Sequence, residues 1–178
     1  MSKINRWRRD FMFSSLIKSA LVLLFMFTVS GCAKGSNDYN AGDLSGINHT
    51  QQGVNYFTVN GYRAGLTGNS CCIMLPRKWT PGLKAHVEWE VDPDPFENIP
   101  LKKKGSGYEE GAYARHAAKY QQHSAIVDIP KYTETCGMTV HFLPCNQVKV
   151  TTSCVGYGTP DYPIKEPLDM KEPAQCPK

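Results

Sequence analysis

The 178-residue chain holds none of the common catalytic signatures. It has no G-x-S-x-G nucleophile elbow, no H-E-x-x-H, no P-loop and no Rossmann glycine pattern, so the best-marked hydrolase, zincin and nucleotide chemistries lack their local machinery. It has no C-x-x-C pair, which argues against a zinc site built from paired cysteines. Helical periodicity is nearly missing, and residues 111–122 are the single helix candidate. No apolar run reaches the ~18 to 20 residues that a membrane-crossing helix needs. Excess charge is missing too, once the N-terminus is set aside. There, Lys3, Arg6, Arg8, Arg9 and Lys18 stand against Asp10, a net +4, and the whole chain is also +4. Residues 32–178 are therefore near neutral and give no support for nucleic-acid binding.

What is present begins at that basic N-terminus. Residues 19–29, SALVLLFMFTV, form the most apolar run in the chain. A short apolar core after a positive start, closing on small residues, reads as a secretory signal covering residues 1–31. The sequence Val29-Ser30-Gly31-Cys32 that ends it resembles the bacterial lipobox, in which the cysteine thiol is lipidated and the signal is cut before it. This expectation makes Cys32 the lipidation site and a lipid anchor the contact with the membrane. Ala33 stands where an Asp would favour retention in the inner membrane, so the periplasmic face of the outer membrane is the expected location. One acyl chain binds a bilayer only marginally, whereas several on one cysteine hold firmly. Residues 32–45, rich in Gly, Ser, Asn and Asp, read as a flexible tether. The folded domain is expected over 46–178.

An exported chain sits where disulfides persist. Beyond Cys32 there are six cysteines, Cys71, Cys72, Cys136, Cys145, Cys154 and Cys176, all disulfide candidates. One pairing follows from register. Met138, Val140 and Phe142 alternate before Pro144, and Val148 and Val150 alternate after it. A hairpin centred on Cys145 sets Phe142 opposite Val148 and Val140 opposite Val150, so that the apolar faces coincide. The same register sets Cys136 opposite Cys154, at a Cα separation of ~4.5 to 5.5 Å, within disulfide range. Cys145, Cys176 and the Cys71/Cys72 pair are left to bridge among themselves, a vicinal bridge being strained.

The remaining pattern is mainly strand. Asn60-Gly61 between residues 54–59 and 62–66 suits a two-residue type I′ hairpin. Residues 83–91 alternate, with Leu83, Ala85, Val87, Trp89 and Val91 on one face. A strand is expected around 124–129, and an irregular proline-rich tail from Gly156 onward. Residues 92–111 have little pattern and read as a long loop with a solvated lysine run, Lys102 to Lys104. The expected fold is a single, mainly β, antiparallel sandwich-like domain with one short helix. The five histidines are scattered, with His86 and His141 on polar strand faces and His116 off the Tyr113/Tyr120 stripe. They read as exposed or singly hydrogen-bonded, with no metal and no cofactor. Aromatic residues in the loop, Phe96 and Tyr108, are the type that anchors protein interfaces.

Three stretches carry a resemblance. They are GNSCCIMLPRKWTPGLKAHVEWE (68–90), IPKYTETCGMTVHFLPCNQVKV (129–150) and PDYPI (160–164). From about Gly46 to Ile164 the chain resembles an uncharacterised-domain family of proteobacterial lipoproteins, often encoded beside phospholipase-type effectors of the type VI secretion system. The resemblance implies an immunity lipoprotein, a non-catalytic partner that binds and neutralises such a toxin. It carries over no functional residues. The rival readings are a structural or assembly lipoprotein of the envelope or secretion apparatus, and a small hydrolase or metal-handling protein. The 92–111 loop with its neighbouring strand ends is the expected interface.

Overall fold

A computed structural model describes residues 38–68 and 70–177, the side chain of Cys71 excepted. Cys32, the signal segment and the first part of the expected tether, residues 32–37, lie outside the described residues. Two four-stranded sheets face each other as a sandwich. The first contains β1 (Tyr39–Asn48), β4 (Ser70–Pro76), β7 (Gly137–Leu143) and β8 (Gln147–Thr151), in the order β4-β1-β7-β8. The second contains β2 (Gly53–Val59), β3 (Tyr62–Ala64), β5 (Lys84–Asp92) and β6 (Gln121–Asp128), in the order β3-β2-β5-β6. One short helix, α1 (Ala112–Ala117), lies between β5 and β6.

The hairpins follow their turn chemistry. Asn60 (φ 50°) and Gly61 (φ 85°) both take the positive φ that a type I′ turn requires, and Val59 pairs with Tyr62. At the β7–β8 hairpin Val140 pairs with Val150 and Phe142 with Val148, the register set by the two apolar faces. Cys136 and Cys154 extend that ladder as a disulfide, with Cα atoms 5.0 Å apart. Along β5, Ala85, Val87, Trp89 and Val91 are buried while Lys84, His86 and Glu88 are exposed. Between the sheets, the rings of Phe57 and Phe142 meet edge to face at 5.2 Å, and Trp89 lies 5.9 Å from Phe142. Burying each large side chain of this kind contributes about 2–3 kcal/mol.

Four features depart from the sequence reading. Residues 39–45 are not tether but the larger part of β1. Among the described strands, β1 also makes the one parallel pairing in an otherwise antiparallel scheme, joined to β7 with Leu44 opposite Met138. Its glycines are close-approach positions: a Cβ on Gly46 would lie 2.7 Å from the Phe57 ring, and one on Gly42 would lie 2.6 Å from the Gly137 Cα. The helix stops at Ala117 rather than continuing to 122, because the backbone from Gln121 is taken up as the strand partner of β5. A strand not marked in the sequence, β4, pairs with β1 on its other side.

The proline-rich tail closes over the outer face of the first sheet. Tyr162 and Ile164 are buried, Met170 N–H donates to the His49 carbonyl at 2.6 Å, and Cys176 is bridged to Cys145. Both faces of β7 are thereby covered.

Candidate protein-interaction site

The long 92–111 segment is built, not loose. Its middle is a finger. Leu101 pairs antiparallel with Tyr108, Lys102 N–H donates to the Gly107 carbonyl at 3.0 Å, and Glu109 N–H donates to the Pro100 carbonyl at 2.8 Å. Its root is clasped by one histidine. His116, on α1, holds Asp92 Oδ2 at 2.9 Å through Nε2 and Glu97 Oε2 at 2.5 Å through Nδ1. Lys119 holds the other Glu97 oxygen at 2.6 Å. Two carboxylates, one at the end of β5 and one in the loop, are thus tied to a single ring. The hydrogen bond to Glu97, helped by Asp92 and opposed by burial, raises the His116 pKa above its ordinary value. Glu97 is lowered in turn, first by Lys119 and then by His116. His116 is buried, contrary to the expectation of an exposed or singly bonded ring. Charged and bonded at both nitrogens, it offers no free lone pair for proton abstraction.

On this clasped base stands a row of aromatic rings. Tyr108, 43% exposed, stacks on Tyr113, 49% exposed, with centroids 5.5 Å apart and an interplanar angle of 15°. Tyr113 lies 6.5 Å from His116, which meets Tyr120 edge to face at 5.4 Å. A hydrogen bond with Tyr113, with burial, pushes the Tyr120 phenol up to about 12. On the outer face of the second sheet, the Arg63 guanidinium sits 3.7 Å from the centre of the Tyr56 ring. Phe96, the other loop aromatic singled out in the sequence, is 89% exposed.

The second histidine group is structural in geometry. His49 and His141 are fully buried beneath the tail, their facing nitrogens 2.7 Å apart. The polar-face assignment of His141 is right in register, but that face is roofed by Tyr157 and Tyr162, so the ring is not exposed. Burial first, then His49, lowers the His141 pKa to about 4.

The remaining cysteines are placed as follows. Cys145, at the β7–β8 turn, is bridged to Cys176, and Cys72 is also disulfide-bonded. Among the described residues, one group has metal-ligand spacing: Cys145, Glu172 and Cys176. Its two sulfurs are joined to each other, so they supply no thiolate pair.

Sequence reasoning singled out Tyr108 and Phe96 but did not bring Tyr108 together with Tyr113 and His116. The available signal was weak: Tyr113 and His116 are three apart, the spacing that puts both on one side of a helical turn. Nothing local tied either to Asp92 or Glu97. Comparison with known proteins returns no matching curated protein and no matching solved structure. A family model described as a protein of unknown function, DUF3304, matches residues 47–150, more than half of the chain and most of both sheets with the clasped loop. The chain belongs to the DUF3304 family.

Proposed function

We propose that this chain is a membrane-anchored periplasmic lipoprotein that binds and neutralises a phospholipase effector of the type VI secretion system. The observation that carries the reading is the exposed Tyr108–Tyr113 stack held on a base fixed by His116, Asp92 and Glu97. Exposed tyrosines on a pre-ordered frame are suited to tight binding. They supply contact area with few rotors, and a fixed loop leaves little ordering cost at association. Cys136–Cys154 braces the first sheet, against which the sheet that carries the site is packed, and Cys145–Cys176 fixes the tail. The lipobox at Cys32 supports the location: a phospholipase acts at the bilayer, and an antidote tethered there gains effective concentration over a free one.

The test is rescue. A phospholipase effector of the type VI secretion system is expressed in the periplasm with the full chain, with a Cys32→Ala form exported by another signal, and with Tyr108→Ala/Tyr113→Ala. The expected result is growth and co-purification with the wild type, weaker protection without the anchor, and loss of both with the tyrosine variant at unchanged thermal stability. Equal killing with and without the wild type at matched expression overturns the reading. It would move the chain to the envelope-assembly class.

A further inference from the structure

The tip of the finger presents Lys102, Lys103 and Lys104 in succession, followed by Gly105-Ser106-Gly107. Of the other exposed lysines, Lys84 is paired with Asp128, Lys119 with Glu97 and Lys149 with Glu166, while Lys78, Lys131 and Lys171 have no acidic partner among the described residues. Among the described residues, no ion pair or side-chain hydrogen bond engages the three at the tip. Three like charges are therefore held together on a projection that the fold itself does not use. At its neck stand Leu101, 65% exposed, and Tyr108, cross-strand partners on the same short ladder. Glu109 and Glu110 follow at the root, behind the neck.

We propose that this finger is a lipid-contact element that docks tip-first on an anionic phospholipid surface. The charge is complementary, and its form favours a bilayer over a protein. Ammonium groups on flexible stems beside a Gly-Ser-Gly turn offer no rigid shape for a partner to match. They suit a diffuse sheet of phosphate charge, which needs no shape. An exposed leucine beside a tyrosine is the pairing found at membrane interfaces, the apolar part entering and the hydroxyl staying at the headgroups. The glutamates at the root set the direction, since an anionic surface repels them and accepts only the tip. Each lysine near such a surface strengthens binding about fivefold, so three together give on the order of a hundredfold. This inference does not depend on the proposed toxin partner. The finger's charge lies at the tip, and the two contacts share Tyr108, which pairs with Leu101 at the neck and stacks on Tyr113 at the base.

The experiment places a reporter on the finger. The full chain carrying Leu101→Trp is reconstituted on vesicles of brominated phosphatidylcholine with or without brominated phosphatidylglycerol, and its fluorescence is read against the parent chain, which has only the native tryptophans. The expected result is extra quenching of the residue-101 signal on phosphatidylglycerol vesicles. That quenching falls in high salt and is lost in Lys102→Glu/Lys103→Glu/Lys104→Glu, whose melting temperature is unchanged. No extra quenching on those vesicles overturns the proposal, and so does equal quenching with and without phosphatidylglycerol. Shielding of residue 101 by an added phospholipase effector but not by lipid also overturns it, and assigns the tip to a protein partner.

Discussion

His49 Nε2 and His141 Nδ1 lie 2.7 Å apart in a fully buried pair, and the groups at either end fix the proton on each ring. His49 Nδ1 faces the Pro167 carbonyl at 2.9 Å, an acceptor only, so that nitrogen carries the hydrogen. His49 Nε2 is then the acceptor, His141 Nδ1–H donates to it, and the Tyr162 hydroxyl donates to His141 Nε2 at 2.7 Å. In this arrangement the chain of hydrogen bonds runs one way from Tyr162 to Pro167. Its two ends belong to the tail and its middle to the first sheet, so it staples one to the other.

Acid should open this staple. The unfolded His141 titrates near 6.5 and the folded one near 4. Between those values the unfolded chain takes up a proton that the native chain refuses, so stability falls as pH drops through the window. The loss should reach about 3 kcal/mol by pH 4, because each tenfold drop in proton affinity on folding is worth about 1.4 kcal/mol. Urea titrations at pH 7 and pH 5 measure it. In His141→Asn the fall between those two pH values should shrink, although the variant starts less stable. An equal fall in both proteins would assign the acid sensitivity to other groups.

The parts of this fold legible in the sequence are those specified by neighbours in the chain. Asn60-Gly61 dictates its turn, and the apolar alternation around Cys145 dictates its register and with it the Cys136–Cys154 bridge. Strand β1 is illegible for the opposite reason. Its sequence, YNAGDLSGIN, buries only Leu44 fully, and its glycines serve contacts with Phe57 and Gly137, far along the chain. Parallel pairing to a strand about ninety residues away leaves no local period to read. The histidines fail similarly. His141 alternates as a polar residue should, but the tail covers that face, and His116 draws its partners from β5 and the loop.

The clasp at the finger root has the opposite pH sense to the staple. A raised His116 pKa adds stability that is fully present below the unfolded value near 6.5 and is lost as pH rises through the folded value. His116→Gln should loosen the 92–111 segment without unfolding the sandwich. Protection factors at Lys102 and Glu109, whose N–H groups close the finger, should fall in the variant, and in the wild type at alkaline pH after the intrinsic base-catalysed rise in exchange is divided out. Core amides in β5 should stay protected. Unchanged finger exchange in the variant would mean that the ladder alone orders the loop.

The two described disulfides should differ in what they hold. Cys136–Cys154 closes a short loop across the base of the β7–β8 hairpin, with a sequence separation of 18. Replacing both cysteines by serine should cost about 3 kcal/mol of global stability in denaturant. Cys145–Cys176 instead ties down the tail end. Its double-serine form should keep most of its denaturant midpoint but become sensitive to proteolysis after Met170. Loss of the whole fold in that variant would show that the tail is a structural strand of the core rather than a cover.

Gly137 tests the parallel pairing directly. It takes φ 126°, and a Cβ there would lie 2.2 Å from the Asp43 carbonyl oxygen, across the β1–β7 contact. Both the backbone conformation and the space exclude a side chain. Gly137→Ala combines a strained backbone with an overpacked strand interface and should cost on the order of 4 kcal/mol. Gly61→Ala is the control. It has a positive φ of 85° but nothing within 4 Å of the added carbon, so the turn strain alone should cost about 1 kcal/mol. Thermal melts of the two variants should therefore separate widely. Equal melting temperatures would mean that β1 does not lie against Gly137, and the parallel neighbour of β7 would have to be sought elsewhere.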